Sequence, residues 1–261
     1  MSEITLPLPS SPRPASRLPV LIGRCLRLSV RNTDGLITAL ALPVILMLMF
    51  VYLFGGAIHV GTRYVDYVVP GVLLVCVAFG AGTTAVSLVQ DLTSGIIDRM
   101  RSMDVRGEAL IAGHVVASVA RILASSLLAL AVAFAIGFRT DADLGRWLAA
   151  VGILTLFVFA LSWLAAAIAV LARSAEAAQG ITFLIGFLPY PSSAFVPVAT
   201  MPPALRVFAA NQPVTAVANS LRALLSGAPV GASAWHAVAW SVAITIASIA
   251  LAGALFRRRL D

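Results

Sequence analysis

Lysine is absent from this sequence: all 18 basic residues are arginines. The G-x-x-x-x-G-K-[ST] loop of nucleotide hydrolases needs a lysine to reach the terminal phosphates, so the chain cannot hydrolyse ATP by that route. Charge of either sign is scarce, at 11% of residues, where a soluble domain carries about 25%. Too few charges remain to cover a water-facing surface. With 60% hydrophobic residues and a mean hydropathy of +0.99, most of the chain has lipid as its solvent. Cysteine is limited to Cys25 and Cys76, the first near one membrane surface and the second inside an apolar run. This placement excludes a disulfide and leaves both as small apolar fillers. The three histidines, His59, His114 and His236, fall in different segments without metal-ligand spacing. No nucleophile elbow is present, and no apolar run holds a pair of carboxylates. An integral-membrane enzyme therefore has no polar constellation to work with.

The charges that are present mark the membrane topology. The net charge is +7, but the arginines flank apolar runs rather than forming a soluble basic face, which argues against nucleic acid as a partner. Six windows are nearly free of charge: Gly35–Thr62, Tyr67–Gln90, Ala109–Phe138 with Arg121 inside it, Trp147–Ala172, Ala177–Leu205 with its five prolines, and Ala223–Phe256. A spanning helix needs about 20 apolar residues. Backbone in lipid must bond to itself, so each window is expected to be a helix and the chain to be all-α with six spans. With the N-terminus inside, twelve arginines fall on the cytoplasmic side (13, 17, 24, 27, 31, 99, 101, 106, 173 and 257–259) and five outside (63, 139, 146, 206 and 222). The excess of arginine on the inner side favours cytoplasmic termini and a plasma-membrane location.

The ends and the last connection depart from this simple pattern. Residues 1–17, with "LPLPSSPRPASRLP" around them, are too proline-rich for a signal peptide and read as a disordered cytoplasmic tail. In 18–33, Arg24, Arg27 and Arg31 share one helical face. Either this is an amphipathic helix at the inner interface or it is a plain topogenic tail; residues 34–261 are the six-span unit. Prolines 189, 191 and 197 are expected to break span 5 near its outer end. The residues that follow are too apolar for a solvated loop, which suggests re-entrant or interfacial helices between spans 5 and 6, above all Val214–Leu225.

Two features inside this frame bear on function. Arg121 is the one charge within a span, with a structural role and a place in a transport path both open. His114, earlier on the same helix, reads as a satisfied buried histidine. The stretch "QDLTSGIIDRMRSMDVRGEAL", Gln90 to Leu110, holds seven charged side chains. Leu92, Ile96, Met100 and Met103 recur in it at helical spacing, which marks a cytosolic amphipathic helix. Such a helix can lie on lipid, pack under its own bundle or enter a groove on another protein, and its mixed charge is a poor match to a simple anionic-lipid anchor.

This stretch resembles the signature of type-two ABC transporter permeases, in the daunorubicin-resistance-like exporter branch. The matching positions are Asp91, Gly95, Arg99, Arg101, Ser102, Met103 and Gly113, with Asp104 where such sequences usually carry proline. Gly137–Arg139 and Asn211–Gly227 also look like the family. The resemblance implies that the helix between spans 2 and 3 docks on a separate ABC ATP-binding subunit, through Asp91, Gly95, Ile96, Ile97, Asp98, Arg99, Met100, Arg101 and Met103. It further implies that ATP and magnesium are bound by that partner, with no cofactor in this chain. It also implies pairing with a second copy or a paralogous permease, bacterial membrane lipids around both, and an exported hydrophobic or amphipathic compound such as a drug, antibiotic or lipid. Spans 1, 2 and 5 would line its path, with Phe79, Phe183 and Phe187 as candidates. The rival readings are a secondary transporter or channel and a non-transporting scaffold; no span carries the Asp or Glu that the former commonly uses.

Overall fold

A computed structural model of the chain describes residues 23, 27, 33–58, 61–94 and 107–258. The expected tail (1–17), almost all of the expected interfacial helix (18–33) and most of the amphipathic stretch lie outside the described residues. Helix α1 (Thr33–Met49) continues into a π-turn at Phe50–Phe54. It is followed by α2 (Tyr64–Thr93), α3 (Gly107–Ala135), α4 (Leu144–Leu171), α5 (Ala175–Phe187), a 3-10 turn at Val198–Thr200, α6 (Pro203–Asn211), α7 (Pro213–Leu225) and α8 (Ser233–Arg258). Every regular element among the described residues is helical.

The helix boundaries follow from local chemistry. Asp143 caps α4, its Oδ1 accepting the Arg146 N–H at 2.7 Å, and Ser174 caps α5, its Oγ accepting the Ala177 N–H at 3.2 Å. Pro203 and Pro213 begin α6 and α7, where the missing N–H costs no helical bond. Pro43 and Pro70 lie inside α1 and α2; surrounding helices make this tolerable in lipid.

Four helices are long and apolar enough to cross a membrane: Tyr64–Thr93, Leu110–Ala135, Leu144–Leu171 and Ser233–Leu255. They coincide with the second, third, fourth and sixth windows, and the chain is a multi-pass, all-helical integral membrane protein. The first window holds the shorter apolar stretch Ala41–Phe54. The fifth is divided. Helix α5 has 13 residues, about 20 Å at 1.5 Å per residue, and ends two residues before Pro189, as the prolines require. The chain then runs as an irregular strap, 188–197, before the short helices α6 and α7.

Helix α2 is the centre of the bundle. It packs against α1, α3, α4, α5 and α7, and Val68, Val69, Val72, Leu74, Val75 and Leu88 are fully buried on it. Gly71 permits a close approach: a Cβ there would meet the Ala194 carbonyl oxygen of the strap at 2.6 Å. At the periphery, α8 packs on α4 and α7 and leaves Trp235, Trp240, Ile246 and Leu251 exposed. In a lipid solvent such a face is at home, whereas in water it would drive aggregation.

Candidate coupling and transport site

The part of the α2–α3 interface toward the C-terminal end of α2 is built from polar rungs. His114, Ser118 and Arg121 follow one another at i, i+4, i+7 and so share a face of α3. Each meets α2. His114 Nε2 lies 3.0 Å from Asp91 Oδ2, with side chains only 8% and 15% exposed. The Thr84 hydroxyl donates to Ser118 Oγ at 2.6 Å, and Ser162 of α4 donates to the same oxygen at 3.0 Å. One guanidinium nitrogen of Arg121 donates to Thr84 Oγ1 (2.6 Å), Thr83 Oγ1 (3.0 Å) and the Gly80 carbonyl (3.3 Å). Directly beside it, a Cβ on Gly80 would meet Ile122 Cγ1 at 2.5 Å, so the close helix approach depends on that glycine. Arg121 is thus built into the α2–α3 contact, and its charge is stabilised by oxygen dipoles instead of bulk water.

Of the residues expected to dock a partner, Asp91 is described, and it points into the helix pair toward His114. Gly95, Ile96, Ile97, Asp98, Arg99, Met100, Arg101 and Met103 lie outside the described residues. The expectation for His114 fits its 7% exposure and its Asp91 contact. The Asp91–His114 pairing itself went unread in the sequence, because the two residues are 23 positions apart; the i, i+4, i+7 spacing from His114 to Arg121 was the available signal.

Of the three phenylalanines proposed for the path, Phe79 lies at the α2–α5 contact, and Phe183 and Phe187 pair with each other on α5. Phe79 packs over Gly186, where an added Cβ would lie 3.5 Å from the ring carbons, an ordinary contact distance. Phe183 and Phe187 pair at 4.9 Å between centroids and are 54% and 49% exposed. The structure extends this group into a continuous line of rings. Phe187 meets Tyr190 at 5.5 Å, Tyr190 stacks on Phe195 at 5.5 Å, Phe195 stacks on Phe50 at 4.3 Å, and Phe50 meets Phe54 at 5.5 Å. The line connects α5, the strap and the π-turn after α1. These three segments are remote in sequence, so only the fold reveals the line.

The strap is held to the N-terminal end of α2. Ser192, Ser193, Ala194 and Phe195 are each no more than 3% exposed, which is how non-helical backbone survives among apolar helices. Tyr64 and Tyr67 hydroxyls donate to the Phe195 and Ser193 carbonyls at 3.1 and 3.0 Å. Arg222 of α7 donates to the Ser193 carbonyl (2.7 Å), Asn219 Oδ1 (2.8 Å) and the Tyr67 carbonyl (3.3 Å), with its guanidinium 3.8 Å from the Tyr67 ring centroid. Burial pushes the Arg222 pKa down, with the neighbouring Tyr67 working in the opposite direction. Gln212 adds a bond to the Pro191 carbonyl. Nearby, Asp66 accepts from Arg63 Nε at 2.9 Å and from the Arg139 N–H at 3.1 Å, joining the start of α2 to the α3–α4 turn.

Comparison with known proteins agrees with this architecture. Residues 17–226 match the family model described as "ABC-2 type transporter". The chain belongs to the ABC-2 type transporter family. It is 32% identical over 197 residues, 74% of this chain and 69% of the relative, to the daunorubicin resistance ABC transporter permease protein DrrB1 of Streptomyces coeruleorubidus. It is 21% identical over 226 residues, 86% of this chain and 82% of the relative, to a Mycobacterium tuberculosis protein named "Probable doxorubicin resistance ABC transporter permease protein DrrC". The chain is accordingly a type-two permease of the daunorubicin-resistance branch.

Proposed function

We propose that this chain is the membrane-spanning subunit of an ATP-binding-cassette exporter in a bacterial plasma membrane. It moves a hydrophobic or amphipathic compound outward on ATP hydrolysed by a separate subunit, and contributes to drug efflux and resistance. Two permeases and two ATP-binding subunits make the working unit. Each permease has six spans with cytoplasmic termini, and α6 and α7 are interfacial or re-entrant on the outer side. The family match over residues 17–226 carries this reading, and the relatives' names supply the drug class.

In this reading the segment 95–106 is the docking helix. Ile96, Ile97 and Met100 enter a groove on the ATP-binding subunit, while Asp98, Arg99 and Arg101 set register at its rim. The line of rings from Phe183 to Phe54 offers flat apolar faces to a planar or amphipathic substrate. The test is to purify the permease with its native partners, then measure ATP hydrolysis in liposomes with and without doxorubicin. Co-purification of an ATP-binding subunit and stimulation by the drug are expected. A permease that carries no ATPase from native membranes would overturn the reading.

A further inference from the structure

We infer that the Asp91–His114 pair is a clasp at the root of the docking segment, through which movement of a bound ATP-binding subunit is passed to α2 and α3 together. The inference rests on the docking reading above. It goes beyond that reading in assigning Asp91 and His114 as positioning residues, where the signature alone would place Asp91 among the docking contacts.

The geometry separates the two roles. Asp91 stands in the last turn of α2 and His114 stands two turns into α3. The pair therefore joins the two helix ends that flank residues 95–106 in the sequence. Its 3.0 Å contact is shielded on both sides, so water competes with it less than with an exposed contact. Above it the same two helices are joined by Thr84–Ser118 and by Arg121 on Gly80, Thr83 and Thr84. A displacement delivered at the end of α2 alone would shear these rungs. With the clasp closed, both helices receive it at the same depth and the rungs move as a unit. Without it, the docking segment is tethered by two independent helix ends, and part of its motion is lost as relative sliding.

The experiment uses the full chain co-expressed with its ATP-binding subunit. Cys25→Ser and Cys76→Ala remove the native thiols, and Ala204→Cys on the exposed outer helix α6 serves as reporter. Three quantities are read: co-purified ATPase, ATP hydrolysis, and the ATP-driven change in reporter labelling. In the parent the labelling rate should change by about fivefold or more, the lower end of ordinary allosteric coupling. His114→Ala should keep the ATPase bound and hydrolysing, yet lose the ATP-driven change. Exchanging the partners, Asp91→His with His114→Asp, should restore it, which a purely structural contribution to yield would not predict. If His114→Ala does not accumulate in the membrane, Asp91→Asn decides the matter by the same reporter, with a diminished response expected. An undiminished response in the single variants, or an exchange that restores nothing, overturns the clasp. So does loss of the ATPase itself from His114→Ala, since that would make the pair part of the dock. A parent complex that binds no ATPase, or whose reporter ignores ATP, overturns the exporter reading and the clasp with it.

Discussion

Arg222→Met tests how the strap is held, and its effect can be sized from the geometry. The substitution keeps a long unbranched side chain but removes the donors to Ser193 and Asn219 at 2.7 and 2.8 Å and to Tyr67 at 3.3 Å, along with the contact to the Tyr67 ring. Hydrogen bonds from a charged donor contribute about 1.5–3 kcal/mol each, and a desolvated cation–π contact about 2 kcal/mol. Against this stands the cost of keeping the guanidinium out of water, which the variant no longer bears. The net loss should be about 3 kcal/mol, or a fall of roughly 6–12 °C in Tm on the scale of proteins this size. Tyr67→Phe retains the ring and loses only the 3.0 Å bond to the Ser193 carbonyl, so it should cost about 1 kcal/mol. Because Arg222 and Tyr67 share that carbonyl, removing both leaves it buried and unsatisfied. The double variant should therefore lose about 1 kcal/mol more than the sum of the single losses. Thermal unfolding in detergent, followed by a fluorescent thiol probe on Cys76, provides the assay. A Tm for Arg222→Met within about 2 °C of the parent would refute the reasoning.

Other perturbations probe the remaining parts. Ile97→Asp or Met100→Asp should abolish co-purification of the ATP-binding subunit and all transport, since an unpaired charge in an apolar groove costs several kcal/mol. Arg101→Ala should only weaken coupling, because a rim charge contributes about 1 kcal/mol or less. Retention and stimulation of the ATPase by both aspartate variants would make the segment a lipid-surface element. Arg121→Leu should lower Tm or yield more than it alters substrate preference; normal stability with switched selectivity would place Arg121 in the path. Gly71→Val should cost about 3 kcal/mol or more, because its side chain would have to displace the Ala194 backbone. A normal thermal transition for this variant would show that the strap yields easily.

Where the chain alone specifies a local outcome, the sequence was a good guide. Long charge-free runs can satisfy their backbone in lipid only as helices, and α2, α3, α4 and α8 lie where those runs do. Pro189 foretold the end of α5, and the apolar helix expected at Val214–Leu225 is α7. The fifth window was less legible, because composition does not distinguish a helix that crosses from one that stops midway and folds into a strap. The site divides in the same manner. Phe79, Phe183 and Phe187 could be picked out as aromatics on spans, but Tyr190, Phe195, Phe50 and Phe54 join them only after three distant segments pack together. Asp91 was read as a docking contact from its place in a signature. Its burial against His114 depends on the angle and depth at which α2 meets α3, which no local pattern encodes.

The anchoring of the strap also limits how the molecule can change shape. Two tyrosines and an arginine fasten the strap to α2, and Ala194 fills the notch at Gly71, so the strap, α7 and the N-terminal half of α2 form one block. A gate that swung the strap away from α2 would have to break every one of these contacts in each cycle. In the proposed assembly of two permeases, opening is far cheaper as a rotation of whole blocks about the boundary between the copies. Amide hydrogens along 189–196 should then exchange equally slowly at rest and during turnover, with the changes confined to the seams between blocks.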